Sequence, residues 1–163
     1  MSQMQRLYRL LITAASSLQS PFPFLVRLAW GYQMHLTGHG KLHDVARVTG
    51  YFTQLGIPLP GASAIFIAVL EFAGGILFAL GLGSRLIALL FAGDMVMAYI
   101  LADREALISI FQDPDKFYDA TPYTFLVAAL IVLIFGPGKF SLDALLANRF
   151  AGGAASPKAS SHA

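Results

Sequence analysis

The sequence predicts an all-α fold, namely an integral membrane four-helix bundle preceded by an N-terminal interfacial helix. Apolar residues make up 56% of the 163 residues and charged residues only 12%, whereas soluble domains contain about 25% charged residues. The mean hydropathy is +0.65. A bilayer core needs roughly 20 apolar residues in helical form, and four segments meet this need: 21–41, 61–82, 85–102 and 121–138.

Residues 1–20 precede the first span and show an amphipathic helical pattern. Arg6 and Arg9 lie beside an apolar row with helical spacing, which suits a helix in the membrane interface. The row consists of Leu7, Leu10, Leu11, Ala14, Ala15 and Leu18. A cleaved signal peptide is the alternative, but residues 19–23 offer no good small-residue cleavage site.

The basic residues that flank the spans predict the orientation of the chain. One side of the membrane receives Arg6, Arg9, Arg85, Lys139, Arg149 and Lys158. The other side receives four basic residues among six acids. We therefore expect a multi-pass protein of the bacterial inner membrane with both termini in the cytoplasm.

The segments outside the spans are predicted to be connectors and a tail. Residues 42–60 suit a short amphipathic helix that ends at Gly56-Ile57-Pro58, because proline cannot continue a helix. Residues 103–120 are acidic but lack the glycine and terminal glutamate of a calcium loop, which favours a solvated outer loop. Residues 139–163 form a cytoplasmic tail, partly disordered because its end is of low complexity.

Composition also excludes several classes of function. The net charge is +2, but the 11 basic residues are spread along the chain and form no stripe of the kind that binds nucleic acid. The chain has no cysteine, which excludes disulfides, thiolate metal sites and catalytic thiols. Redox chemistry would therefore need a cofactor, a quinone or a partner protein.

Three ionisable residues are predicted inside the membrane. At about 1.5 Å per helical residue, Glu71 and Asp94 lie near the midplane and Arg27 lies nearer the cytoplasm. Such groups are costly in lipid unless they are paired, and they mark function by default. If Arg27 faces Glu71, one of the two carboxylates becomes a candidate proton carrier. The alternative is an inert buried network that fixes helix register.

Helical phase indicates which residues accompany these charges, at about 100° per residue. The face of Arg27 also carries Gly31, Met34, Gly38 and Lys41. The face of Glu71 also carries Ala64, Ala68, Gly75 and Phe78. Both faces should point into the bundle, where small residues let helices approach closely.

Three histidines follow at four-residue spacing, namely His35, His39 and His43. A pair at i and i+4 can hold a metal on one helix, but the later spans contain no histidine to complete a metal or haem site. By helical phase only His35 flanks the interior, where it could exchange a proton or contact a quinone. We therefore predict no metal site, and the candidate polar site comprises Arg27, His35, Lys41, Glu71 and Asp94.

The order of several motifs over residues 21–138 resembles the DoxX family of small four-helix bacterial membrane proteins. The motifs are LVRLAWG with Arg27, GHGK with Gly38 and Lys41, the loop GIPLP, and EFAGGILFALGLGSR with Glu71, Gly74, Gly75, Gly81 and Arg85. The resemblance implies a link to thiosulfate:quinone oxidoreductase, membrane redox complexes, sulfur metabolism and oxidative-stress defence. It assigns no catalytic residue, and Asp94 is not part of its pattern.

Three functions fit these observations. The first is a membrane subunit of a quinone-linked redox system, at most an accessory subunit of an oxidoreductase, with no resident cofactor and a quinone as the candidate ligand. The second is a non-catalytic scaffold or chaperone for partner proteins. The third is a small permease. Expected partners are membrane lipid, a redox partner protein and a second copy of the chain, but no nucleic acid.

Overall fold

A computed structural model of the chain describes residues 3–153, and within them all regular secondary structure is helical. In chain order the helices are α1 (Gln3–Leu18), α2 (Pro21–His43), α3 (Val45–Gln54), α4 (Pro60–Leu80), α5 (Ser84–Leu101), α6 (Arg104–Ile108), α7 (Pro114–Asp119), α8 (Pro122–Phe135) and α9 (Leu142–Gly153). The prediction of an all-α fold is confirmed for these residues.

Four of the longer helices share one apolar core. Helix α2 packs along α4, α5 packs along α8, and further contacts join the two pairs. Each helix contributes buried side chains to the same cluster, including Met34, Phe78, Phe91, Met95 and Val132. The four segments predicted as spans therefore pack against one another, and burial of their apolar side chains holds them together.

Helices α2 and α4 cross closely because glycines lie at their contact. A Cβ atom added to Gly75 would lie 2.5 Å from the backbone nitrogen of His35, and one added to Gly38 would overlap the backbone of Phe72. Any larger side chain would force the helices apart. The predicted inner faces are confirmed by burial of Arg27, Gly31, Met34 and Gly38 in α2 and of Ala64, Ala68, Glu71, Gly75 and Phe78 in α4.

Not every predicted span has the length and composition of a membrane helix. Among residues 3–153, α4 and α5 are long and apolar enough to cross a membrane. Helix α2 has 23 residues but is less apolar, since its second half includes Lys41 and three histidines. Helix α8 is apolar but has 14 residues, or about 21 Å. It ends before the predicted residue 138 because Gly136 has φ 81° and Pro137 lacks an N–H group.

The connecting segments agree with the sequence in part. All 16 residues of α1 are exposed, and α3 is the short helix predicted within residues 42–60. The predicted outer loop, 103–120, instead contains the short helices α6 and α7. The prediction of disorder in the tail concerns residues that lie largely outside the described part of the chain.

Candidate functional site

An ion pair joins α2 to α4 at the centre of the candidate site. Lys41 Nζ lies 2.5 Å from Glu71 Oε1, and the two side chains are 32% and 3% exposed. The glycine contact between the helices brings the last turns of α2 against the middle of α4, which explains how a lysine reaches a carboxylate buried eleven residues into α4. Lys41 thus supplies the positive charge that a buried carboxylate requires.

Asp94 of α5 adds a second carboxyl group to this ion pair. Its side chain is close enough to Glu71 for the two to share a hydrogen bond. Asp94 Oδ2 and Glu71 Oε2 are both buried and have no hydrogen-bond partner among the described residues. Lys41, Glu71 and Asp94 therefore form one polar cluster, which we call the KED cluster.

The KED cluster lies on the wall of a cavity of about 720 Å³ between α2, α3, α4, α5 and the start of α8. The rest of the lining is mainly apolar and includes Val48, Phe52, Ile67, Met95 and Phe125. Helix α3 packs on α4 and forms one wall of the cavity. A mostly apolar cavity with a few convergent polar groups is the usual form of a site for a small organic ligand.

Arg27 lies elsewhere, so the hypothesis that it pairs with Glu71 is wrong. Its guanidinium group donates hydrogen bonds to the carbonyl oxygens of Ala79, at 3.3 Å, and of Phe140. Arg27 and Lys41 are about 21 Å apart along α2. Because α4 runs back along α2, the start of α2 meets the end of α4, and only the end of α2 reaches Glu71.

Arg27 belongs to a second polar cluster, at the junction of α4, α5 and the segment before α9. Arg27 is fully buried, and Gly81 leaves room for it, since a Cβ atom there would overlap the guanidinium group. These contacts connect α2 to the end of α4 and to residue 140. Arg27 therefore has a structural role in the described chain and does not line the cavity.

Asp143 belongs to the same junction and was not among the predicted residues. Its carboxylate accepts hydrogen bonds from the backbone N–H groups of Gly83, at 2.8 Å, and Ser84, at 2.9 Å. Burial alone would raise the pKa of Asp143, but these hydrogen bonds and the charge of Arg27 hold it below its ordinary value. One signal in the sequence could have indicated this cap. In GLGSR, α5 begins directly after Gly83, and glycine has no side chain to accept hydrogen bonds from the first N–H groups of the helix. A side chain from elsewhere in the chain was therefore to be expected at this position.

His35 contacts the backbone of α4 and not the KED cluster. Its Nδ1 atom lies 3.1 Å from the carbonyl oxygen of Phe72, and its ring packs on the Phe72 ring at 4.5 Å. His39 and His43 are exposed, as helical phase predicted. Within residues 3–153, no group of three or more His, Cys, Asp or Glu side chains is placed to hold a metal ion.

Of the five predicted site residues, the structure thus brings together Lys41, Glu71 and Asp94. In a comparison with protein families, the family model for DoxX matches residues 22–104, just over half of the chain. The chain belongs to the DoxX family. It is accordingly a membrane protein, in keeping with the two apolar helices α4 and α5. No curated protein and no solved structure matches it.

The matched region includes Lys41, Glu71 and Asp94, so every member of the KED cluster lies within the DoxX domain. It ends at the start of α6 and therefore excludes α8 and Asp143. The cavity thus combines walls from the DoxX domain with one wall, at Pro122 and Phe125, from the segment that follows it.

Proposed function

We propose that this DoxX protein is the quinone-binding membrane subunit of a redox system. The observation that carries the proposal is the apolar cavity with the KED cluster on its wall. A quinone is a lipid-soluble molecule with an apolar body and two carbonyl oxygens that accept hydrogen bonds. The cavity has the corresponding apolar lining and a lysine ammonium group that can donate one.

The size of the cavity supports this ligand class. Its volume of about 720 Å³ falls within the range of roughly 300–1,000 Å³ that is usual for sites of small organic ligands. Tyr51 and Arg47 of α3 line the same cavity and offer further hydrogen-bond donors. A quinone ring could therefore place one carbonyl oxygen at Lys41 and its tail among the apolar side chains.

The proposal includes a topology in which α2, α4, α5 and α8 all cross the inner membrane, with both termini in the cytoplasm. The flanking basic residues support this orientation. The shared core supports the grouping of the short α8 and the polar α2 with the two apolar helices. In this arrangement the cavity lies in the outer half of the membrane, since α3 and the start of α8 line it and lie on that side.

Electrons would come from a redox partner protein. The chain contains no cysteine, so its own side chains offer no thiol for electron transfer. The role proposed for this subunit is to hold the quinone and to position it for reduction by the partner.

Quinone titration of the purified protein tests this function. We expect a ubiquinone or menaquinone analogue to bind the wild-type protein and to bind at least tenfold more weakly to Glu71→Gln. Glu105→Gln is the matched control, because Glu105 is the other glutamate of the chain and does not line this cavity. Absence of binding to the wild type, or equal binding to both variants, would contradict the proposal.

A second candidate is a membrane scaffold for partner proteins. It is favoured by α1, an amphipathic helix with no buried residue. Affinity capture in mild detergent separates the two functions. A scaffold would retain a defined partner in the Glu71→Gln variant and lose it when Leu7 and Leu11 of α1 are replaced by serine. Quinone binding would instead weaken in Glu71→Gln and remain unchanged when these two leucines are replaced.

A further inference from the structure

We propose that Glu71 and Asp94 share a single proton, and that this pair is where the occupant of the cavity exchanges a proton. This inference rests on the proposed function only in taking the molecule in the cavity to be a quinone. The shared proton itself follows from the geometry and charge of the KED cluster.

The hydrogen-bond inventory supports one proton between the two carboxyl groups. Glu71 Oε1 accepts from Lys41. Two further oxygens, Glu71 Oε2 and Asp94 Oδ2, are buried and have no hydrogen-bond partner in the described chain, while the two side chains lie within hydrogen-bonding reach of each other. An ionised carboxylate only accepts hydrogen bonds. A hydrogen bond between the two groups therefore needs one of them to be protonated.

The charge count gives the same result. With all three groups ionised, the KED cluster would contain two negative charges and one positive charge, and the uncompensated charge would lie in a buried place where it is costly. One bound proton makes the cluster neutral. Two adjacent carboxyl groups that interact in this way bind protons as a pair, so the proton belongs to both.

Among the charged and titratable groups around the cavity, only Lys41 pairs with the two carboxyl groups in the described structure. Helix α3 contributes Arg47 and Tyr51 to the lining, and Asp103 lies after α5. None of these three forms a hydrogen bond or ion pair with Glu71 or Asp94 in the described structure. Helix α8 lines the cavity with uncharged residues.

A quinone in the cavity would use this proton during reduction. Two electrons from the redox partner protein and two protons convert the quinone to a quinol. The Glu71–Asp94 pair supplies one proton to the nearer oxygen, which leaves both carboxylates ionised beside Lys41. Solvent that reaches the exposed part of Lys41 returns one proton to the pair and supplies the second proton of the quinol, so two protons are taken up from solution for the two electrons.

Infrared difference spectroscopy of the purified full chain, without ligand, tests the shared proton. We expect a carbonyl band from one protonated carboxyl group in the wild type, and its loss in both Asp94→Asn and Glu71→Gln, because either change leaves a single carboxylate for Lys41. The controls Asp115→Asn and Glu105→Gln should keep the band. In Lys41→Met the intensity of the band should double, since both Glu71 and Asp94 become neutral.

Two results would overturn the shared proton. One is the absence of a protonated carboxyl band in the wild type. The other is survival of the band in either Asp94→Asn or Glu71→Gln, which would assign the proton to one isolated group. Both substitutions preserve side-chain size, and the doubling in Lys41→Met provides a readout that does not depend on them.

Ligand affinity as a function of pH tests the exchange. A quinone accepts a hydrogen bond from the protonated carboxyl pair. Its affinity should therefore fall by up to tenfold per pH unit as the pH rises above the value at which the infrared band disappears. In Asp94→Asn the affinity should not change with pH over that range. A flat profile in the wild type would refute the exchange. If the band behaves as expected but no quinone binds, the shared proton stands and the proposed function fails.

Discussion

Replacement of Lys41 by methionine should destabilise the protein strongly at neutral pH and weakly at acid pH. The change removes the only cation that pairs with Glu71 among the described residues, and Glu71 is 3% exposed. Loss of one partner of a buried ion pair costs about 3–5 kcal/mol. Methionine keeps the apolar length of the lysine side chain, so packing changes little.

Protonation sets an upper limit to that cost. A carboxyl group with the reference pKa of about 4.3 can be neutralised at pH 7 for about 3.7 kcal/mol, after which no unpaired charge remains. Lys41 is also 32% exposed, so water already weakens the ion pair. We therefore expect a loss of about 2–3 kcal/mol at pH 7, and less than about 1 kcal/mol near pH 4.5, where protonation costs almost nothing.

The assay is unfolding in mixed micelles at the two pH values, with Lys139→Met as the control because Lys139 is exposed. The free energy of unfolding of Lys41→Met should fall below that of the control at pH 7, and the gap should narrow at pH 4.5. Equal stability of the two variants at pH 7 would refute the structural role of the ion pair. A gap that is independent of pH would show that packing, and not charge, causes it.

Two further substitutions test the parts of the fold that hold the site. Gly38→Ala should lower the free energy of unfolding by about 1–3 kcal/mol, because the added Cβ meets the backbone of Phe72. The control Gly40→Ala has open space around the added Cβ and should raise the free energy of unfolding by up to about 1 kcal/mol. Equal effects of the two variants on thermal unfolding would contradict the close crossing of α2 and α4. Asp143→Asn should cost about 1 kcal/mol by weakening the cap of α5, whereas the exposed control Asp115→Asn should cost nothing. Since the folded pKa of Asp143 lies below that of an unfolded aspartate, its contribution should be complete above about pH 4 and lost as pH falls further; an equal acid response in Asp143→Asn and the wild type would refute this.

Helical phase predicted the inner faces of α2 and α4 because burial follows the period of one helix. The rotation that placed Gly38 and Lys41 beside Arg27 required only the sequence of α2, and the same held for Ala68 and Gly75 beside Glu71. The polar interior of the bundle could therefore be found from residue types and spacing alone.

The pairing of charges could not be found in the same way, because it depends on how far one helix slides along its neighbour. The sequence suggested Arg27 as the partner of Glu71 and placed Lys41 only on the same face of α2, whereas the structure pairs Lys41 with Glu71. The glycine contact near Gly38 and Gly75 sets this offset. Asp143 was missed for a related reason, since it caps a helix that begins 59 residues earlier in the chain.

The predicted bounds of the apolar segments agree with the helices to different degrees, because hydropathy measures composition and not the end of a helix. Helices α4 and α5 are mainly apolar over their whole length and match their predicted ranges within two residues. For α8 the apolar composition extends through Gly136 and Pro137, but the backbone turns there, so the helix is shorter than the apolar segment.

Photochemical labelling with a light-activated quinone analogue is the most direct test that the cavity is a quinone site. We expect covalent labels on peptides that line the cavity, around Tyr51, Ile67 and Met95, with competition by excess unmodified quinone and loss of the labels in Glu71→Gln. Labels spread over α1 and the outer faces of α4 and α5, unchanged by competitor and by Glu71→Gln, would contradict a quinone site in this cavity.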